Sequence, residues 1–167
     1  IRAKLILRLR KISGGTLTVS DRILIGFGRT YGTPAVAHFG TGTLTISGAA
    51  AVTAKSVVIG ENSASVGSLN LNGGILTTDQ IKVGLSLTAN QALNLNGGTI
   101  RARTDGVDLI AGNVTTANLQ SGGITFDSNG FAVSTSAVMT GPGGLIKKGA
   151  GTLTVNSVQA YTGDTKV

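Results

Sequence analysis

The acidic side chains decide what chemistry this sequence could perform, and they are few. The 167 residues include seven Asp and Glu, one His and no Cys. The best cluster is Asp105 with Asp108, and Arg101 and Arg103 lie nearby in sequence. Glycoside hydrolysis requires two carboxyl groups about 5–9 Å apart, so this cluster defines one alternative, a glycan-binding or glycan-cleaving protein. A solvated turn, TDGVD, explains the same residues without catalysis, and we favour that interpretation.

The sequence contains no pattern typical of a metal, cofactor or nucleotide site. His38 has no second His or any Cys with which to form a metal site or a catalytic triad. The calcium-binding GGxGxD repeat and the Gly-rich P-loop are both absent. We therefore expect a protein that is not an enzyme and that holds neither a cofactor nor a metal.

One segment, FGRTYGTPAVAHFG at 27–40, combines aromatic residues with Arg and His. It holds three of the six aromatic residues in the chain. Aromatic and Arg side chains are common anchors in interfaces, and loops on a rigid scaffold commonly bind partners. The candidate binding residues are Phe27, Arg29, Tyr31, His38 and Phe39. The interpretation that we favour is that the segment folds back and covers the wall of the scaffold with its own aromatic residues.

The N-terminal segment 1–12 is basic and alternates in polarity. Five of the positive charges lie here with no acid among them: Arg2, Lys4, Arg8, Arg10 and Lys11. The apolar side of the alternation holds Ile1, Ala3, Leu5, Leu7 and Leu9. The other side holds Arg2, Lys4, Ile6, Arg8 and Arg10.

This alternation predicts one amphipathic strand over 1–12, whose solvated charges discourage pairing between sheet edges. The alternative is a basic face of Arg2, Lys4, Arg8 and Arg10 that attracts an anionic surface such as lipopolysaccharide, an acidic glycan or nucleic acid. Nucleic acid is the least favoured partner, because no aromatic residues are interleaved with the charges. The rest of the chain, with nine basic and seven acidic residues, is nearly neutral.

The elements that position these residues are short repeats. An alternating apolar strand is followed by Ser or Asn and then by Gly with Gly or Ala. These anchors are Ser13, Ser47, Asn72, Asn96 and Ser121, and only the first interval is clearly longer than the others. A second landmark, a β-branched run closing on glycine, follows the first three anchors at a nearly constant offset, at Gly26, Gly60 and Gly84. Two landmarks at a fixed offset indicate a true repeat, and 27–40 is an insertion into one copy of it.

The repeat predicts an all-β fold, a single-stranded parallel β-helix with roughly six coils of about 25 residues over 1–167. No stretch shows the apolar spacing of a helix, and Gly-rich turns separate the strands. Leu44 and Ile46 alternate with polar neighbours, as do Leu69 and Leu71, so these residues should point inward and stack between coils about 4.8 Å apart. No apolar run reaches the ~18 residues of a membrane-spanning helix, so membrane insertion is not expected.

The C-terminal segment 141–167 resembles a known repeat. GPGGLIKKGAGTLTV at 141–155, followed by YTG at 161–163, is similar to the autotransporter-associated β-strand repeat, also called the passenger-associated transport repeat. Departures from the usual pattern are SVQA at 157–160 and Asp164. The resemblance implies a right-handed β-helix that is secreted through an outer membrane and displayed at a bacterial surface or released outside the cell.

These observations predict a fragment of a longer secreted chain that acts as a stalk, an adhesin scaffold or an extracellular fibre subunit. The expected partners are further copies, stacked end to end into filaments, or an anionic glycan or other cell-surface ligand. Ice binding is another alternative. It would use a flat Thr-x-Thr array, but that pattern occurs only at 16–18, 43–45 and 152–154.

Overall fold

A computed structural model of the chain describes residues 4–31, 36–38, 40–62, 65–84 and 91–167. All regular structure within these ranges is β-strand. The strands are Leu5–Leu7 (β1), Leu9–Ile12 (β2), Thr16–Ile25 (β3), Arg29–Tyr31 (β4), Val36–His38 (β5), Thr41–Ile59 (β6), Val66–Thr78 (β7), Gln80–Val83 (β8), Gln91–Leu95 (β9), Gly98–Ala102 (β10), Ala117–Leu119 (β11), Ile124–Asp127 (β12), Val133–Thr135 (β13), Met139–Gly141 (β14), Leu145–Lys148 (β15), Leu153–Val155 (β16), Ala160–Tyr161 (β17) and Thr165–Lys166 (β18). No helix in the described part of the chain is long and apolar enough to cross a membrane.

The strands form three stacks of parallel strands around one core. The first stack runs from β2 through the first halves of β6 and β7 to β9, β11, β14 and β17. The second runs from the first half of β3 through the middle of β6 and the end of β7 to β10, β12, β15 and β18. The third contains β1, the ends of β3 and β6, and β8. Isolated bridges continue the third stack through Asp108 and Ile110 to β13 and β16.

The core is built from the alternating apolar positions that the sequence predicts to point inward. In the first stack Leu69 pairs with Leu93. In the second, Leu76 pairs with Ile100, which pairs with Phe126. All five side chains are at most 2% exposed. Burying each such side chain contributes about 1.5–3 kcal/mol, so the column of apolar residues along the axis is the main stabilising feature.

The prediction of a parallel β-solenoid is confirmed, with about five turns where the repeats predicted roughly six coils. The coil length varies along the axis. Asn70 and Asn94, which lie in register, are 24 residues apart, close to the predicted length. The coil that holds the insertion is longer, since Asn62 bonds Gly28, 34 residues earlier. The coil between Met139 and Gln159 is shorter, because Met139 N–H donates to Gln159 Oε1, only 20 residues later.

The two sequence landmarks mark two corners of the solenoid. The Ser and Asn anchors lie where the chain leaves the first stack, and Ser47 pairs with Asn72 there. The closing glycines lie where the chain leaves the third stack. Gly60 N–H donates to Ile25 O at 2.7 Å, and Gly84 N–H donates to Ile59 O at 3.2 Å. We call this second corner, which Gly26, Gly60 and Gly84 mark, the loop corner.

Candidate interaction surface

The inserted segment begins and ends at the loop corner and includes a small hairpin. β4 pairs antiparallel with β5, and Arg29 lies opposite His38 while Tyr31 lies opposite Val36. Every other strand pair within the described ranges is parallel. The structure therefore brings two of the candidate binding residues, Arg29 and His38, into register. Their side chains and that of Tyr31 lie outside the described part, as does the whole of Phe39.

The base of this segment is fixed to the next coil. Asn62 Nδ2 donates to Gly28 O at 2.7 Å. Glu61 N–H donates to Gly26 O, and Val66 N–H donates to Gly40 O, both at 3.1 Å. These bonds hold both ends of the insertion on the solenoid, so the segment is presented from a fixed position.

A second apolar layer lies on the outside of the third stack, beside the insertion. Leu24 and Val58 pair with each other and are 0% and 1% exposed. Each lies between two residues of the core cluster but does not itself belong to that cluster, so its side chain points outward. Burial at outward positions is the feature that a segment folded back over the wall predicts. That interpretation stays a prediction, because the side chains at 29–39 are not described.

The basic residues near the N-terminus do not share one face. The strand predicted over 1–12 is broken at Arg8, so β1 belongs to the third stack and β2 to the first. The alternation changes phase at this corner: Leu9 pairs with outward Thr43 and is 72% exposed, whereas Arg10 pairs with the buried core residue Leu44.

The charges of this region have separate environments. Lys4 Nζ lies 4.8 Å from the centre of the Phe27 ring, which is a cation–π distance. Arg8 and Arg10 are exposed, and Arg10 donates to Leu9 O at 3.3 Å. Arg2 lies outside the described residues. The structure therefore places three of the four predicted basic-face residues in different settings, and it brings Lys4 to a candidate aromatic residue of the insertion.

The acidic cluster at 105–108 lacks the basic partners that the sequence suggested. Arg101 Nε donates to Asp127 at 2.7 Å. Arg103 donates to both oxygens of Asp79, at 2.9 and 2.7 Å. Each arginine therefore pairs with a carboxylate one coil away and not with Asp105 or Asp108.

The two aspartates themselves have different surroundings. Asp105 Oδ1 accepts from the backbone N–H of Ala132 at 2.8 Å. Asp108 Oδ1 is buried and has no hydrogen-bond partner in the described part of the chain. A depression of about 210 Å³ lies on this side, but its lining includes neither carboxylate; the lining residues are Gly106, Val107, Ala132, Val133, Ser134, Thr152 and Thr154. Neither aspartate forms an ion pair within the described part of the chain.

The pKa of Asp127 is lowered by its surroundings. Partial burial raises its pKa, but the hydrogen bonds from Arg101 and from Asn129 N–H and the positive charges of Arg101 and Lys147 outweigh that effect. The pKa of Asp127 therefore lies below the usual 3.8. A carboxylate held ionised by one arginine is a structural ion pair, not a general acid.

A larger depression on the third stack, beside the loop corner, was not predicted from the sequence. Its volume is about 300 Å³, and its lining residues are Arg22, Val58, Glu61, Lys82, Val83, Gly84 and Asn113. The sequence does contain a signal for this depression. Alignment of the coils on their closing glycines places Arg22, Glu61 and Lys82 close to Gly26, Gly60 and Gly84 respectively.

The outer face of the first stack carries a row of amides. Asn94 Nδ2 donates to Asn70 Oδ1 at 2.8 Å, and Asn118 Nδ2 donates to Asn94 Oδ1 at 3.4 Å. Asn70 Nδ2 extends the row to Thr45 Oγ1 at 3.4 Å. Because each amide bonds the next coil, this row stabilises the stacking and leaves an uncharged polar strip on this face.

Within the described residues no group of three or more His, Cys, Asp or Glu is arranged to hold a metal ion. Comparison with known protein families, with curated proteins and with solved structures finds no match for this chain. The class that the structure defines is therefore that of β-solenoid repeat proteins. The resemblance of 141–167 to the autotransporter repeat remains a prediction.

Proposed function

We propose that this chain is a non-enzymatic, surface-displayed β-solenoid that acts as a rigid scaffold and presents a binding surface at its loop corner. The observation that carries the proposal is the placement of the longest connections. In the first four coils they leave the third stack, between Ile25 and Thr41, between Ile59 and Val66, between Val83 and Gln91, and between Ile110 and Ala117. Connections that differ in length and leave one corner of a regular support are the usual place of binding loops.

The support has the properties that a stalk or adhesin scaffold needs. Its coils are joined by ladder hydrogen bonds and by one continuous column of buried apolar residues. In such solenoids each repeat is stabilised mainly by its neighbours. The amide row from Asn70 to Asn118 adds side-chain bonds between coils.

The proposal includes secretion and display on a bacterial outer membrane or release outside the cell. The support for this part is the resemblance of 141–167 to the autotransporter-associated repeat. Fusion of the chain between a signal peptide and a translocator barrel tests it. We expect the chain to reach the cell surface and to be cleaved by protease added to intact cells. Retention of the fused chain inside the cell would contradict this part of the proposal.

The binding role is tested by shortening one connection. In the variant, residues 27–39 are replaced by Glu-Asn-Ser-Ala-Ser, which is the sequence of 61–65 in the next coil. The purified wild type and the variant are coated on beads, and attachment to an epithelial cell layer is counted. We expect the wild type to attach and the variant to lose at least nine tenths of that attachment.

A matched control separates binding from folding. Asn129→Ala lies at a different corner, between β12 and β13, and should attach as the wild type does. All three proteins should show the same far-ultraviolet circular dichroism. Equal attachment by the wild type and the shortened variant would overturn the assignment of binding to the insertion. If none of the three proteins attached, the binding role would be wrong and only the stalk role would remain.

A further inference from the structure

We infer that the depression lined by Arg22, Glu61, Lys82 and Asn113 is a binding site for a carboxylate-bearing saccharide, such as a short uronic acid oligomer. The inference deepens the proposed function, because it names a ligand class for the loop corner. It rests on that proposal only for the biological setting, since the purified chain should bind the ligand in solution.

The size of the depression sets the size of the ligand. Its volume of about 300 Å³ lies at the lower end of the range of about 300–1,000 Å³ for small-molecule sites. It therefore accepts one or two sugar units of a longer chain. Its described lining includes two apolar residues, Val83 and Val58, and Val58 is 1% exposed.

The cations in the depression are available to an anion. All seven acidic residues lie within the described ranges, and none of the ion pairs found there involves Lys82. Arg22 lies near two acids, but at long distances, 3.6 Å from Glu61 and 3.9 Å from Asp21. Charge-assisted hydrogen bonds are about 2.7–2.9 Å long, so the Arg22 guanidinium retains free N–H donors for a ligand.

The polar groups around these cations match a sugar acid. Arg22 and Lys82 both line the depression, and an Arg fork is suited to a planar carboxylate. Glu61, whose side chain is 23% exposed, can accept hydrogen bonds from the hydroxyl groups of the sugar ring. Among the described residues that line the depression, none is an aromatic residue on which a nucleobase could stack, which favours a saccharide over a nucleic acid.

The site is held in place before any ligand arrives. Asn113 bonds both backbone groups of Val83: its Nδ2 donates to Val83 O at 2.7 Å, and its Oδ1 accepts from Val83 N–H at 3.2 Å. Gly84 packs directly on the preceding coil, since a Cβ added there would lie 2.6 Å from Glu61 Cα. Preorganisation of this kind reduces the entropy lost on binding.

The test is isothermal titration calorimetry of the purified chain with trigalacturonate at low salt, with its methyl ester as the uncharged ligand. We expect the wild type to bind trigalacturonate and to bind the methyl ester at least tenfold more weakly. Lys82→Ala should weaken trigalacturonate binding at least tenfold, and Lys82→Arg should retain it. The matched control is Lys55→Ala, because Lys55 is an exposed lysine of β6 with no ion pair in the described part of the chain.

Several outcomes would overturn the inference. They are no binding by the wild type, equal losses in Lys82→Ala and Lys55→Ala, and binding of a sulfated disaccharide in place of trigalacturonate. Circular dichroism and amide chemical shifts of Gly84 and Asn113 show whether each variant is folded and whether the ligand occupies this depression. The titration does not depend on cell attachment. A negative titration would therefore refute the saccharide site without refuting the scaffold function, and a negative attachment assay would not refute the saccharide site.

Discussion

Substitution of Gly42 by alanine tests whether the closeness of the coils at the loop corner limits the stability of the solenoid. Gly42 lies near the start of β6 and packs against Gly26, the residue that follows β3. A Cβ added to it would lie 2.5 Å from Leu7 O and closer still to Gly26 N. Both neighbours are backbone atoms, and Gly26 N–H donates to Leu7 O. The methyl group cannot be accommodated by rotating a side chain, so the two strands must separate.

The expected loss follows from two effects. Forcing a methyl group into a packed region costs about 1–3 kcal/mol. Leaving the buried Gly26 N–H without its acceptor costs about 1–3 kcal/mol more. We therefore expect Gly42→Ala to lower the free energy of unfolding by about 3 kcal/mol. For a chain of this size that corresponds to a Tm lower by about 6–12 °C.

The assay is urea unfolding followed by circular dichroism, with Gly14→Ala as the matched control. Gly14 is exposed, has no atom within 4 Å of an added Cβ and does not have a positive φ. Alanine there should leave stability unchanged or raise it by about 0.4–1 kcal/mol, because it restricts the unfolded chain. With m of about 3 kcal/mol/M, the midpoint for Gly42→Ala should fall by about 1 M. Midpoints that agree between the two variants would refute the reasoning.

Three further predictions follow from the core, the amide row and the ion pair. Leu71→Ala should cost about 2–5 kcal/mol in unfolding free energy, because it opens a cavity in the core, whereas Val158→Ala, at a residue 90% exposed, should change it by less than about 0.5 kcal/mol. Asn94→Ala should cost about 1 kcal/mol by breaking the amide row, and hydrogen exchange should quicken in the adjoining coils; an unchanged exchange rate would contradict the role of the row. Asp127 has a lowered pKa, so it stabilises the fold above about pH 3.8, and this contribution is lost as the pH falls through its folded value. The urea midpoints of wild type and Asp127→Asn should therefore differ at pH 7 and converge below pH 3.8; a constant difference would exclude the ion pair as its source.

The fold could be predicted from the sequence because its two signals are periodic. The anchors and the closing glycines recur at a fixed offset, and each marks a corner, as the pairing of Ser47 with Asn72 shows. The alternation of Leu69 and Leu71 with polar neighbours also gave the direction of their side chains correctly, since both are fully buried. Such signals recur because the residues of every coil must pack against the neighbouring coils in the same way.

The phase of the N-terminal strand could not be predicted, because alternation alone does not reveal a corner. The residues from 1 to 10 alternate with Ile6 as the one exception, but the chain turns at Arg8 and passes from one stack to another. Beyond the turn the inward positions are those of Arg10 and Ile12, which pair with Leu44 and Ile46. No glycine or proline marks this turn in the sequence.

The carboxylate partners of Arg101 and Arg103 were not predicted, for a physical reason that applies to any solenoid. Asp105 and Asp108 were grouped because they are neighbours in sequence, but in a solenoid the nearest side chain is often one coil away. Arg103 accordingly pairs with Asp79, 24 residues earlier. The same rule brings Arg22 near Glu61 of the following coil and creates the depression at the loop corner. In this fold, charged side chains that lie close together are separated by a whole coil of sequence. A candidate site is therefore best sought by aligning the coils on their corner glycines and comparing the side chains at equivalent positions of successive coils.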